Sequence, residues 1–158
     1  MAIIFRGKSQ CPICNEIMNE SDEIVLFPPF IQNVNDPFYI FNDAGIHESC
    51  LLKSKLGKQA LEYREIMFEK IKPINRICDI GGNLITKPDD YLFINLLTSN
   101  PSEGLSKFNF MTIDKNNLPK WKNRQLFHDV TQRFMDEGKW RTLKDFNYLS
   151  YLIDQTTI

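Results

Sequence analysis

The chain lacks long apolar runs. No part of its 158 residues approaches the roughly eighteen consecutive apolar residues that are needed to span a bilayer. The apolar run that follows Ala2 is three residues long, whereas a secretory signal has an apolar segment of roughly 7–15 residues. These two absences predict a cytoplasmic protein.

An excess of one charge sign and phosphate-binding glycine loops are also missing. The 19 Lys and Arg residues nearly balance the 20 Asp and Glu residues, so the net charge of −1 indicates no global attraction to nucleic acid. The Gly81–Gly82 pair lacks the lysine and the spacing of a P-loop or a dinucleotide-binding loop. The composition, 42% hydrophobic and 25% charged, is typical of a globular protein, and the length suits one ordinary domain or two very small ones.

Cysteine and histidine are scarce, and most of them fall into two short motifs. The sequence CPIC occupies residues 11–14, and HESC occupies residues 47–50. Pro12 fixes one backbone torsion of the first motif, and Asn15 tolerates the left-handed conformation that closes such turns. In the second motif the histidine and the cysteine are three residues apart, which places them on one face of a helical turn.

These motifs predict a metal site. Three thiolates and one imidazole, from Cys11, Cys14, His47 and Cys50, make a complete tetrahedral ligand set for one structural Zn²⁺ and leave no position for water. Closely spaced cysteines in a reducing compartment favour metal or redox chemistry over disulfides. A redox pair would instead follow a strand in a βαβ unit, and iron–sulfur clusters usually need four cysteines.

The order of these parts resembles a treble-clef zinc finger over about residues 9–72. Strand-like runs at residues 21–31 and 36–45 lie between the two motifs, a short helix is predicted to end at Gly57, and a second helix is predicted to end before Pro73. LIM and RING domains add further ligand pairs that are missing here. HNH nucleases share the scaffold, but they carry a catalytic histidine on the hairpin, and residues 22–46 contain none. The resemblance therefore implies the scaffold without the nuclease activity.

A second copy of this pattern begins at Cys78. Residues 78–120 align without a gap with residues 11–53 and give nine identities in 43 positions. The other three ligand positions become Gly81, Asp114 and Asn117, which are a poor set for zinc. We expect a second unit in which apolar packing replaces the metal; the alternative is an unrelated hairpin with a chance match.

The expected fold class is therefore α+β, with two tandem treble-clef-like units of short antiparallel hairpins and packed helices. The zinc-binding unit spans residues 1–72, and the metal-free unit with C-terminal helices spans residues 73–158. In the second unit the apolar pattern predicts strands at 91–98 and 108–113 and helices at 118–138 and 142–155.

Other polar residues are expected to be structural. His128 lies in a predicted helix without a suitable titratable partner, and Asp89–Asp90 fits a turn that enters a strand. Two basic clusters could bind nucleic acid, although a solvated helix face is the more common explanation. These clusters comprise Lys53, Lys55, Lys58 and Arg64, and Lys120, Lys122 and Arg124 with Trp121.

These observations predict a non-catalytic binding or adaptor protein whose partner is another protein. Aromatic residues crowd around the first hairpin, and Phe30, Phe38 and Tyr39 are the predicted partner-binding residues. The sequence pattern as a whole resembles that of small bacterial immunity or defence-associated zinc proteins. The alternatives are a nucleic-acid-binding protein and an HNH-like nuclease, in which activity would depend on Asp114 or His128.

Overall fold

The fold is α+β, with helices and two small antiparallel sheets. A computed structural model describes residues 2–143 and 145–158. The strands are β1 (Ile24–Leu26), β2 (Gly45–His47), β3 (Tyr91–Phe93) and β4 (Thr112–Asp114). The α-helices are α1 (Glu48–Lys53), α2 (Gly57–Ile71), α3 (Arg124–Asp136) and α4 (Tyr148–Thr156). Short 3₁₀ helices span Pro37–Phe41, Pro73–Asn75, Pro88–Asp90, Gly104–Phe108 and Lys115–Lys120. Over the described residues, no helix has the length and apolarity to cross a membrane.

Each sheet is an antiparallel pair of three-residue strands. β1 pairs with β2 so that Ile24 faces His47, and β3 pairs with β4 so that Tyr91 faces Asp114. The central residues Ile46 and Ile113 are completely buried. Each hairpin therefore fixes one ligand or ligand-equivalent residue at its end and buries its middle in the core.

The second strand of each hairpin begins later in the chain than the sequence predicts. Pro37–Phe41 forms a 3₁₀ helix because the Asp36 side chain accepts a hydrogen bond from Phe38 N (2.9 Å) and Pro37 has a helical φ. Of the predicted strand at 108–113, Phe108 is the last residue of the 3₁₀ helix Gly104–Phe108, and only residues 112 and 113 belong to β4.

The boundaries of three predicted helices also change. Gly57 is the first residue of α2 and not a helix stop, and a Cβ atom there would lie 2.0 Å from Leu51 O. The predicted helix 118–138 begins at Arg124, because Pro119 lies in the preceding 3₁₀ helix and has no N–H to donate. The predicted helix 142–155 begins at Tyr148, after the Asn147 cap; its residue 144 lies outside the described residues.

Elements of the first half recur 67 residues later in the second. The starting residues of β1 and β3 are 24 and 91, those of β2 and β4 are 45 and 112, and those of α2 and α3 are 57 and 124. Left-handed backbone recurs at the same spacing, at Asn15 (φ 62°) and Gly82 (φ 71°), and at Asp43 (φ 47°) and Phe110 (φ 58°). The two halves therefore share backbone conformation at turns as well as element order.

The buried apolar residues form two hydrophobic cores. One contains residues of the first half, including Phe27, Phe41 and Ile46, and the other contains residues of the second half. Leu96 and Phe110 of the second half pack in the first core. The two halves are therefore in contact, while the division at residues 72 and 73 stays a prediction.

Candidate metal centre

The first two potential ligands lie in a tight turn before β1. Asn15 N donates to Cys11 O (2.7 Å), and Cys11 N donates to Glu16 O (2.9 Å). The left-handed conformation of Asn15 closes this turn, as the sequence predicts. The turn directs the Cys11 and Cys14 sulfurs toward the same point.

The other two potential ligands lie where β2 passes into α1. His47 is the last residue of the strand, and Cys50 lies in the first turn of the helix. Pairing of β2 with β1 fixes His47 opposite Ile24. Helix and hairpin therefore position this pair without help from the first turn.

The four residues come together into one group that could hold a metal ion. One ligand atom from each of Cys11, Cys14, His47 and Cys50 lies within 4.8 Å of the others. The His47 Nδ1 atom lies 3.4 Å from Cys14 Sγ, so this ring nitrogen faces the sulfurs. Zinc–ligand distances of about 2.0–2.3 Å imply separations of roughly 3.3–3.8 Å between tetrahedral ligand atoms. The donor set fits a single metal ion such as Zn²⁺, and the separation of His47 Nδ1 from Cys14 Sγ lies within this range.

The Asp22 carboxylate lies beside the other ring nitrogen of His47. Its Oδ2 atom lies 3.3 Å from His47 Nε2. A hydrogen bond from Asn19 N and the charge of His47 lower the pKa of the Asp22 carboxyl. A carboxylate on the distal nitrogen of a ligand histidine fixes its orientation and increases its basicity. The ligand motifs do not predict this role; the signal in the sequence is the identity of Asp22 with Asp89 at the offset of 67 residues.

The cysteines in the group have different proton affinities. Burial raises the pKa of Cys11, but hydrogen bonds from backbone N–H groups, including that of Cys14, outweigh it and bring the pKa to about 7. Burial and the neighbouring sulfurs of Cys14 and Cys11 raise the pKa of Cys50 to about 11. Because a thiol must lose its proton to ligate a metal, binding at neutral pH displaces a proton from Cys50.

A hydrogen-bonded cluster occupies the equivalent place in the second half. Cys78 Sγ accepts hydrogen bonds from Gly81 N (3.4 Å), Asp114 N (3.3 Å) and Asn117 Nδ2 (3.4 Å). Asn83 bridges the cluster, since its Nδ2 donates to Asp114 Oδ2 (2.7 Å) and its Oδ1 accepts from Asn117 Nδ2 (2.7 Å). The second half has the expected apolar core. At the position equivalent to the metal itself, however, amides and a carboxylate hold the segments together in place of apolar side chains.

Gly81 is required by this cluster. A Cβ atom at this position would lie 2.3 Å from Asn117 Nδ2, so a side chain at the position equivalent to Cys14 would displace the amide. Burial raises the pKa of Cys78, but hydrogen bonds from Asp114 N and Asn117 outweigh it and lower the pKa. In the part of the chain that the structure describes, only the Cys₃His group brings three or more potential metal ligands together.

Two of the three predicted partner-binding aromatics are core residues. Phe30 is 0% exposed and Phe38 is 2% exposed. The Phe38 ring packs edge-on against Tyr63, with ring centroids 5.2 Å apart. Tyr39 is half-buried. The predicted contact patch is therefore corrected, because charge at Phe30 or Phe38 would disrupt the core rather than a surface.

Asp114 and His128 have separate structural partners. Asp114 Oδ1 accepts a hydrogen bond from Asn116 N (2.9 Å), in addition to the Asn83 contact. His128 Nε2 lies 2.8 Å from Thr156 Oγ1, which ties α3 to the end of α4. Burial, followed by the charge of Arg124, lowers the pKa of His128. Both side chains thus have roles in packing.

A solvent-open cavity of about 830 Å³ adjoins the Cys₃His group. Its lining includes Ile17 and Leu52, which are 45% and 74% exposed. Acidic residues surround them, and a hydrogen bond with Glu23 raises the pKa of the Glu48 carboxyl. The metal group therefore lies beside an accessible surface with both apolar and acidic character.

Comparison with known proteins gives no relative from which a role could be transferred. No protein-family model matches the chain, and no curated protein or solved structure matches it.

Proposed function

We propose that Cys11, Cys14, His47 and Cys50 bind one structural Zn²⁺, and that the chain is a non-catalytic binding or adaptor protein. The observation that carries this proposal is the convergence of the four donor atoms within 4.8 Å. Four protein ligands saturate tetrahedral zinc, so no open position remains at which water could be activated. The ion would instead fix the first turn against the β2–α1 corner.

The proposal includes a tandem pair of treble-clef-like units. Its support is the recurrence of backbone hydrogen bonds at equivalent positions. Cys11 N donates to Glu16 O (2.9 Å), and Cys78 N donates to Asn83 O (2.8 Å). In the second unit the hydrogen-bonded cluster around Cys78 takes the place of the metal.

The proposed partner is another protein, which binds beside the metal. The exposed side chains of Leu52, on α1, and Ile17 line the same cavity, on segments that the metal would hold in place. Exposed apolar side chains grouped on a rigid surface are typical of protein contacts. A role as an immunity or defence-associated partner stays a prediction from the resemblance alone, and a cytoplasmic location stays a prediction from the sequence.

Affinity purification at native expression level tests this function. We expect one protein to co-purify in a defined ratio with the wild type and to be lost with Leu52→Asp, while the zinc content stays at one per chain. Leu143→Asp is the matched control, because Leu143 is 70% exposed and does not line the cavity. Cleavage of DNA or RNA by the purified chain, abolished by His128→Ala, would instead support the nuclease alternative.

A further inference from the structure

Basic residues are concentrated in two stretches of the chain. Residues 49–61 and 115–128 contain seven of the 19 Lys and Arg residues and no Asp or Glu. The rest of the chain therefore has twelve basic residues against all 20 acidic ones. The net charge of −1 hides this polarised distribution, and charge asymmetry of this kind accompanies contact with polyanions.

Each stretch contains a junction between two helices. The first junction, residues 53–58, connects α1 to α2, and the second junction, residues 120–124, connects the 3₁₀ helix Lys115–Lys120 to α3. Identical residues stand 67 positions apart in the two junctions: Lys53 with Lys120, and Lys55 with Lys122.

The backbone of the two junctions is the same. Gly57 N donates to Ser54 O (3.1 Å), and at the equivalent position Arg124 N donates to Trp121 O (3.2 Å). Neither α2 nor α3 has a side-chain N-cap or an acidic residue in its first turn. Each junction therefore presents its lysines next to the positive end of a helix dipole, with no carboxylate in the first turn of that helix.

The lysines of these surfaces are available to a ligand. Lys53, Lys55, Lys58, Lys107, Lys120 and Lys122 are all exposed. None of them pairs with a carboxylate in residues 2–143 and 145–158, where the ion-paired lysines are Lys70, Lys72 and Lys139. Lys120 Nζ donates to Asn117 Oδ1 (3.5 Å) and its charge acts on the Asp114 carboxylate. The other five lysines have no carboxylate partner among the described residues, so phosphate groups could replace the solvent around them.

A cavity of about 380 Å³ extends the second junction. Its lining includes Lys107, Lys70 and the indole of Trp121. The Asp79 carboxylate in this lining is already engaged, because its Oδ2 accepts from Thr112 N (2.7 Å) and from Lys70 Nζ (3.2 Å). Lys107 therefore adds an exposed positive charge, without a carboxylate partner among the described residues, beside the second junction.

Helix α2 extends from the first junction to the cavity at the second junction and so gives the distance between them. Lys58 lies in its first turn, beside the first junction, and Lys70 lies in its last turn and lines the cavity at the second junction. Twelve residues at about 1.5 Å per residue separate them by about 18 Å along the helix axis. Duplex DNA has one phosphate charge per about 1.7 Å of axis, so this span corresponds to roughly five base pairs.

We propose that the two junctions bind the phosphate backbone of one nucleic-acid segment. Lys53, Lys55 and Lys58 form one contact. Lys107, Lys120 and Lys122 form the other. Binding is independent of base sequence, because these groups recognise phosphate charge. This inference goes beyond the proposed function, since it requires neither the protein partner nor the surface around Leu52.

Fluorescence anisotropy of the zinc-loaded full chain tests the proposal. The probe is a labelled DNA duplex of about 16 base pairs, titrated at about 50 mM and about 200 mM salt. With six phosphate contacts, the affinity falls about a thousandfold between these two salt concentrations. Binding that is absent at low salt, or unaffected by salt, contradicts the proposal. Equal affinity for polyglutamate of the same charge also contradicts it, because the surface would then accept an acidic protein.

Matched variants assign the binding to the junctions. Lys55→Glu with Lys122→Glu is expected to weaken binding at least about tenfold and to reduce the salt slope by about two. The control, Lys8→Glu with Lys87→Glu, makes the same charge change at exposed lysines outside both junctions and is expected to keep most of the affinity. Lys55→Gln with Lys122→Gln is a milder second variant with the same direction of effect. Equal losses in the junction and control variants would overturn the assignment.

Discussion

At the residue scale, Asp22 connects the metal group to the rest of the first half. Its carboxylate lies 3.3 Å from His47 Nε2, while the opposite ring nitrogen faces the sulfur of Cys14. Asp22 is itself held by a hydrogen bond from Asn19 N. We therefore expect the ring orientation to depend on a residue that no ligand motif contains.

Replacement of Asp22 tests this dependence. Asp22→Asn is expected to weaken zinc binding about 10–100-fold, as is usual for loss of a carboxylate behind a ligand histidine. Competition with a zinc-chelating dye measures the affinity. Asp89→Asn is the control, because residue 89 occupies the equivalent position in the second half. An unchanged affinity in Asp22→Asn, or the same loss in both variants, would show that Asp22 does not support the metal.

At the element scale, the chain positions of the helices and strands were largely predictable, but their extents were not. The offset of 67 residues is readable from the identities and recurs in the starts of the strands and of α2 and α3. Local caps set the true boundaries: Asp36 begins a 3₁₀ helix within a predicted strand, and Asn147 begins α4. Each cap competes with the apolar pattern through one or two hydrogen bonds, which the pattern does not show.

The candidate site was predictable to a similar degree. Ligand type and spacing identified Cys11, Cys14, His47 and Cys50, because metal chemistry restricts both. The burial of Phe30 and Phe38 was not readable from alternation, since three-residue strands leave most of the hairpin in loops and 3₁₀ turns. The cluster around Cys78 depends on contacts between residues more than 30 positions apart, such as Asn83 with Asp114.

Helix α4 is attached to β3 through one buried phenol. The Tyr148 hydroxyl donates to Phe93 O (3.2 Å) and accepts from Asn95 N (3.2 Å). Burial raises the pKa of Tyr148 to about 12, compared with about 10 in an unfolded chain. The folded state therefore retains its proton when the unfolded state has lost it. This contribution to stability is complete below about pH 10 and is lost as the pH rises toward 12.

Alkaline destabilisation tests this attachment. Between about pH 9 and pH 11, the wild type is expected to lose about 1 kcal/mol more of its free energy of unfolding than Tyr148→Phe, which has no phenol to ionise. Urea unfolding at each pH measures the difference. Parallel pH curves for the two proteins would mean that Tyr148 titrates normally and that its phenol is not buried between α4 and β3.

At the scale of the whole molecule, the two halves depend on different chemistry. The first half has the metal group beside its core, and the second half has the hydrogen-bonded cluster beside its own core. Both tryptophans, Trp121 and Trp140, are buried in the second core. Their fluorescence therefore reports on the half without the Cys₃His group.

Removal of zinc should unfold the first half and leave the second half folded. With a strong chelator, amides of residues 10–56 are expected to lose protection from hydrogen exchange, because metal affinity is part of the folding free energy of such a unit. Amides in the second core should remain protected, and tryptophan emission should stay that of buried indole. Simultaneous loss of protection in both halves would show that they fold as a single cooperative unit.

The central claim is one zinc ion in the Cys₃His group, and native mass spectrometry with elemental analysis tests it most directly. Wild type and Cys78→Ser are expected to contain one zinc per chain, with Cys78→Ser less stable by roughly 1–2 kcal/mol. Cys14→Ser is expected to contain none and to have an unfolded first half. Two zinc ions in the wild type, none in gently purified protein, or equal zinc loss in Cys14→Ser and Cys78→Ser would contradict the account.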